Sequence, residues 1–289
     1  MMLTLIVNPT AGNGYAQKVA EQLRTELEKR GVPHRFCYTE RPGHATELAQ
    51  QAAAQEDCTA VLSVGGDGTA YEVACGLMNS GKPLGMIPAG TGNDFIKTTK
   101  TPKDPLEALA FILEHTARPI DIGRLNDRMF LNVCGTGFDV MVLDFAESAK
   151  KYARGLFPYM IGLIRAIFHY APVHVQLEID GKPMEQDALV CTIANGRFIG
   201  GGIPICPSAD PGDGLLDLLV VQNVPRRRIV RYLPALMSGK LLTLPISKHL
   251  RCKKIKLVAP GMRLNVDGEI FTMDEADFAV LPGQLMLYW

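Results

Sequence analysis

The chain has 289 residues, 47% of them hydrophobic and 21% charged, with equal numbers of acidic and basic side chains. That describes an ordinary soluble globular protein, long enough for two modest domains and able to bury a core without disulfide or metal staples. A formal net charge of zero gives no general reason to expect nucleic acid as a partner. The charge is nevertheless unevenly placed. Residues 218–266 contain no Asp or Glu but hold Arg226, Arg227, Arg228, Arg231, Lys240, Lys248, Arg251, Lys253, Lys254, Lys256 and Arg263. Such asymmetry raises an anionic surface as partner, against basic residues spread over several faces or a dimer contact.

The seven cysteines are widely scattered, with no CxxC pair, and most lie inside apolar runs. That pattern suits reduced thiols in a cytoplasmic protein and argues against zinc. The opening MMLTLIVNPTAG has no basic leader and its apolar run stops at Asn8-Pro9, so it reads as a strand, not a signal peptide. The longest apolar helical candidate, 156–168, is broken by Pro158 and Arg165, which argues against a membrane span.

In chain order, 3–7 reads as a strand ending in the turn NPTAGNG, 16–30 as a helix, 36–38 as a strand and 44–55 as a helix. Residues 60–64 form a third strand running into GGDGT, 70–78 a third helix, and 84–87 a fourth strand running into PAGTGND. This alternation predicts an α/β domain with a parallel sheet covered on both faces. From about residue 120 the texture changes. Strand-like runs at 130–134, 173–179, 188–194, 215–221, 255–258, 262–266 and 278–281 predict a mainly antiparallel second domain, interrupted by one helical insertion over 141–170.

Ligands of open parallel sheets bind at the carboxyl ends of strands, where the three Gly-rich turns lie. One such turn is commonly structural; three at successive strand ends can line a crevice with backbone N–H groups and the hydroxyls of Thr10, Thr69 and Thr91, which suits a triphosphate. There is no GxxxxGK[ST] to bring a lysine to the phosphates, and no GxGxxG. Asp67, an anion inside an anion-binding turn, makes sense if a metal ion sits between carboxylate and phosphate.

GGDGT with Glu72-Val73 downstream, Asn8-Pro9 with Gly12, PAGTGNDF at 88–95 and GTGFD at 135–139 together resemble the bacterial diacylglycerol kinase family, which shares a catalytic domain with sphingosine and ceramide kinases. The resemblance runs from Asn8 to about Glu269. It implies a Rossmann-like nucleotide-binding domain over 1–120 and a β-sandwich, lipid-binding domain over 121–289 whose C-terminal tail can return to the first, with the active site between them.

By the same resemblance, ATP is expected at Asn8, Pro9, Thr10, Ala11, Gly12, Thr39, Gly65, Gly66, Asp67, Gly68, Thr69, Glu72, Thr91 and Asn93. It further implies Asp67 as anchor of a catalytic Mg2+, Asp121 near the metal and its water network, and Glu269 as the general base. Asp210, Asp213 and the Leu215 carbonyl match the family's structural magnesium site. Without the family, 210–217 reads equally as an Asp-Gly turn and 266–269 as an ordinary hairpin. Many relatives carry a basic residue just behind the first turn; Asn13 and Gly14 stand there, leaving Lys18 as a substitute.

The insertion mixes Lys150, Lys151, Arg154 and Arg165 with Phe157, Tyr159, Met160, Ile161, Leu163, Ile164 and Phe168. It fits a helix lying on a membrane surface or a core helix packed on the sandwich. The expected activity is phosphorylation of diacylglycerol to phosphatidic acid by a cytoplasmic homodimer held reversibly at the inner face of the membrane. Rival readings are a kinase for another lipid alcohol, an NAD kinase sharing GGDGT, or an inactive nucleotide-binding regulator.

Overall fold

Residues 2–149 and 157–289 are described by the computed structural model. The first part runs β1 (Met2–Val7), α1 (Tyr15–Lys29), β2 (His34–Tyr38), α2 (His44–Ala53), β3 (Cys58–Gly65), α3 (Asp67–Leu77), β4 (Leu84–Pro88), α4 (Asp94–Thr98) and α5 (Pro105–Glu114). Its strands lie parallel in the order β2, β1, β3, β4. Side chains alternate across that sheet. Leu3, Leu5 and Val7 of β1 pack with α1 and α5, whereas Ile6 packs with α2 and α3. A strand buried on both faces must be apolar throughout, which is why β1 and β3 read as unbroken hydrophobic runs.

The second part runs β5 (Arg118–Leu125), β6 (Arg128–Phe130), β7 (Val133–Gly137), α6 (Phe138–Ala149), α7 (Phe157–His169), β8 (Val173–Ile179), β9 (Lys182–Ala194), β10 (Phe198–Ile199), β11 (Ile203–Pro204), β12 (Leu216–Gln222), α8 (Arg226–Met237), β13 (Ser247–Cys252), β14 (Lys254–Val266) and β15 (Glu269–Leu287). All its pairings within these strands are antiparallel. Strands β9 and β14 are each long enough to pair with β7 along one half and β8 along the other, closing a ring around Cys134, Val175, Ile193, Leu257 and Leu264.

Several boundaries differ from the sequence expectations. The insertion is two helices, α6 and α7, and Gly162 explains their crossing: a Cβ there would strike the Val142 carbonyl. Lys150, Lys151 and Arg154 lie outside the described residues. The runs 255–258 and 262–266 are one strand with a bulge at Pro260-Gly261. Helices α5 and α8 were not anticipated. For α5 the signal was present: the Asp104 carboxylate accepts from Leu106 N and Glu107 N, and Pro105 occupies the first turn.

Strand β15 joins the two parts. It pairs with β14, then with β5, bends at Gly283 (φ 62°), and brings Leu287 beside Leu84 in the parallel sheet. Tyr288 and Trp289 then pack into the cores beneath that sheet. Pro282-Gly283 reads locally as a turn, and only pairing to β5 across the bulge keeps the strand going.

Candidate active site

The three Gly-rich turns are locked to one another. Asn8 Nδ2 donates to Thr69 Oγ1 at 3.3 Å, joining the first turn to the second. Ala89 N donates to Gly65 O at 2.8 Å, joining the second to the third. Glycine is required at two of these crossings. A Cβ on Gly90 would collide with the Gly66 Cα, and one on Gly12 (φ 59°) with the Ala89 carbonyl.

The result is a cleft of about 440 Å³ lined by Asn8, Thr10, Ala11, Gly12, Thr39, Glu40, Arg41, Pro42, Ala45, Gly66, Gly68, Thr69, Glu72, Gly90 and Thr91. Most of the expected ATP residues are therefore neighbours. Pro9, Gly65, Asp67 and Asn93 belong to the same turns and are not part of the lining. Asn93 takes a left-handed conformation (φ 52°) and donates from Nδ2 to Gly90 O at 2.9 Å.

Two of the expected ligands also do structural work. Glu72 accepts from Gly43 N at 2.9 Å and Ala45 N at 3.0 Å, so its carboxylate caps the start of α2. Asp67 stands in the first turn of α3 and accepts from Phe95 N at 3.1 Å, at the start of α4. Burial pushes the Asp67 carboxyl up; the N–H groups of Asp94 and Phe95 pull it down, the Asp94 charge pushes up again and Lys97 opposes it.

The hairpin joining β14 to β15 is tied to α3 through residues 129–131: Tyr71 Oη donates to Met129 O at 3.2 Å and Leu131 N to Asp267. Glu269 is exposed and pairs with Val266. Its neighbour Asp267 accepts from Leu131 N, Asn132 N and Val133 N at 2.6, 3.0 and 2.9 Å. Burial raises the Asp267 carboxyl to about 6 against the pull of those three donors, and the Asp67 charge adds to the push. Burial raises the Tyr71 hydroxyl on α3, with the charges of Asp267 and Glu269 contributing. The hairpin thus lies within electrostatic reach of the GGDGT helix.

Asp121 lies beside the 210–215 loop. Its carboxylate accepts from Gly214 N at 2.6 Å and Gly283 N at 2.9 Å, and Asp121 N donates to Pro211 O at 2.6 Å. It holds the 210–215 loop and the β15 bend. In that loop Asp210 accepts from Gly212 N, Asp213 accepts from Leu215 N and pairs with Arg251, and Trp289 packs against Gly212. The anticipated magnesium donors Asp210 and Asp213 lie in this one loop with one oxygen each given to a backbone N–H, and no step is derived through them.

At Asp67 the fit is better. No group of three His, Cys, Asp or Glu among the described residues is placed to hold a metal. A single carboxylate held by Phe95 N through Oδ1, with Oδ2 turned toward Gly92 of the third turn, suits Mg2+, which completes its shell from substrate phosphates and water.

Sequence reasoning missed Arg41, Asp94, Lys97, Asp267 and the Gly200-Gly201-Gly202 run. The last carried a local signal, a glycine run between strands, and Asp94 and Asp267 lie in the PAGTGND and 266–269 turns already singled out, without a role of their own. Lys18 is exposed on α1 and is not part of the lining.

Glycine turns gathered at the ends of parallel strands, with a β-rich part built onto the same sheet, are the arrangement of a nucleotide-binding protein of two parts. Residues 2–125 match the diacylglycerol kinase catalytic domain, and residues 132–289 the YegS C-terminal NAD kinase beta sandwich-like domain. The chain belongs to the diacylglycerol kinase family of lipid kinases. It is 31% identical to a diacylglycerol kinase of Mycobacterium tuberculosis, over 99% of this chain and 94% of that one. It is 34% identical to a YegS-like lipid kinase of Pseudomonas aeruginosa, over 85% and 81%. A Bacillus anthracis chain solved as a candidate diacylglycerol kinase superposes with a TM-score of 0.82 at 28% identity, covering 100% of this chain and 97% of that one.

Proposed function

We propose that this chain transfers the γ-phosphate of ATP to the free hydroxyl of diacylglycerol, giving phosphatidic acid. The observation that carries the reading is the approach of the Glu269 hairpin to the GGDGT helix: Tyr71 Oη on α3 donates to Met129 O at 3.2 Å, and two residues on Leu131 N donates to Asp267 of the hairpin at 2.6 Å. The three turns hold the triphosphate through backbone N–H groups and the Thr10, Thr69 and Thr91 hydroxyls. Mg2+ held by Asp67 would neutralise phosphate charge. Glu269 takes the proton of the lipid hydroxyl as that oxygen bonds to the γ-phosphorus. The bond from the γ-phosphorus to the bridging oxygen breaks, and ADP carries that oxygen away.

The acceptor reaches the site from a membrane surface. Met160, Ile164 and Phe168 are 55%, 53% and 70% exposed and recur at i, i+4 and i+8 along one face of α7. Arg226 of α8 donates to Phe168 O, and exposed Arg227, Arg228 and Arg231 follow on the same helix. An apolar stripe beside a basic helix suits an anionic leaflet, where each Lys or Arg contributes roughly 1 kcal/mol. No helix among the described residues is long and apolar enough to cross a membrane. The protein is expected to pellet with anionic vesicles, and Phe168→Asp to weaken that binding about tenfold, as loss of one buried aromatic implies. Equal sedimentation of parent and variant would remove this surface from the reading.

Incubation with labelled ATP, Mg2+ and mixed micelles of several lipid alcohols, with NAD in a separate arm, tests the activity. Label in phosphatidic acid that disappears with Asp67→Ala supports the proposal. Label in another lipid corrects the acceptor, label in NADP replaces the reading, and no transfer with nucleotide still bound leaves a regulator.

A further inference from the structure

We propose that Lys97, set against the Gly200-Gly201-Gly202 turn, is the cation that contacts the γ-phosphate of the bound nucleotide. This rests on the kinase reading above. A triphosphate bound without a Walker lysine needs a cation from the protein as well as from a metal, and the choices are few. Arg41 is the one cation among the described residues lining the cleft. Its guanidinium is engaged by both oxygens of Glu47, at 2.8 and 2.7 Å, in a solvent-exposed pair. It stands beside Glu40 and Pro42 in the lining.

Lys97 lies where the third turn leaves the cleft. Its ammonium donates to Gly92 O at 2.8 Å and to Asp94 Oδ1 at 3.1 Å. An ammonium has three donors, so one remains for a ligand. The side chain is only 21% exposed and is aimed, not waving in solvent. Its charge bears on Asp67, the residue assigned to the metal.

The β-rich part fixes it from the other side. Asp94 Oδ2 accepts from Gly201 N at 2.8 Å, and Thr98 Oγ1 accepts from Arg197 N at 2.9 Å, stitching α4 to the turn between β10 and β11. Gly200, Gly201 and Gly202 all take positive φ, at 60°, 86° and 122°. A Cβ on Gly202 would stand 3.2 Å from Lys97 Nζ, so glycine lets backbone approach the ammonium. Gly92, whose carbonyl Lys97 holds, lies so close to Asp67 that a Cβ there would meet Asp67 Oδ2, so a phosphate chain that follows Gly90 and Thr91 toward Asp67 ends beside Lys97. A compact point charge on a flexible stem suits such a contact.

Lys97 then distinguishes ATP from ADP, because ADP ends one phosphate short of it. Calorimetric titration with Mg2+ and either a non-hydrolysable ATP analogue or ADP reads this directly, in the parent, Lys97→Met and Lys97→Arg. The Met variant is expected to bind the analogue about tenfold more weakly and ADP within about twofold of the parent. Its turnover at saturating ATP is expected to fall about 100-fold, with Arg recovering most of both losses. Equal weakening of both nucleotides would make Lys97 a packing residue and overturn the inference, as would no change in either. A parent protein that binds neither nucleotide would overturn the kinase reading and this inference with it.

Discussion

A Glu269→Gln enzyme is expected to turn over about 100- to 10,000-fold more slowly than the parent, the usual range for loss of a general base. An alcohol is a poor nucleophile at neutral pH and must shed its proton as the phosphoryl group arrives, so the amide, which cannot accept that proton, loses the step while keeping the shape. Nucleotide affinity is expected to hold within about twofold, because Glu269 is assigned to the acceptor hydroxyl and not to the nucleotide. Melting temperature is expected to hold as well. Glu269 is exposed, and its backbone pairing with Val266 does not depend on the side chain. Steady-state kinetics with calorimetric nucleotide binding checks all three. A variant as fast as its parent would remove Glu269 from the reaction.

The part of the site that could be read from sequence is the part written in short stretches. Each Gly-rich turn sits within a few residues of the strand that presents it, so the local pattern carries both the conformation and its place at a strand end. What joins the turns is less local. The contact of Gly66 with Gly90 shows up in sequence only as a glycine in each turn. Glu72 looked like part of a phosphate loop because GGDGT precedes it, yet its carboxylate serves an α2 start that lies 29 residues earlier. Lys97 gains its setting from Gly201 and Gly202, more than 100 residues on.

The acid-free stretch has an answer that composition alone could not give. Strand β13 pairs Arg251 directly across from Asp217, and His249 Nε2 lies 2.6 Å from the buried Asp217 carboxylate. Arg251 also meets Asp213. Part of the basic excess is therefore the internal complement of the acidic 210–217 loop, and α8 presents another part to solvent. A net count cannot separate these two uses, because strand register decides which charges face each other.

Asp267→Ala, two residues from the proposed base, is expected to have the opposite signature. The Asp267 carboxylate is the acceptor for three consecutive backbone donors, Leu131 N, Asn132 N and Val133 N. Alanine leaves three N–H groups without that acceptor at the junction of β6 and β7, and a buried donor left unmade costs about 1–3 kcal/mol. The loss of stability is expected to be on the order of 4 kcal/mol, in the range reserved for broken buried networks. For a chain of this size that lowers the melting temperature by roughly 10 °C. Asp267→Asn keeps one acceptor oxygen but turns an NH2 toward a donor, so it is expected to recover only part of the loss. The backbone at Asp267 takes φ 48°, which Asn tolerates and Ala does not, so the Asn variant separates loss of the acceptors from backbone strain. Thermal and denaturant melts read the result, and an Ala variant that melts within about 1 °C of the parent would refute the capping role. A large loss in Ala instead means that the two carboxylates divide the labour of the hairpin, Asp267 fixing it to the start of β7 and Glu269 left exposed.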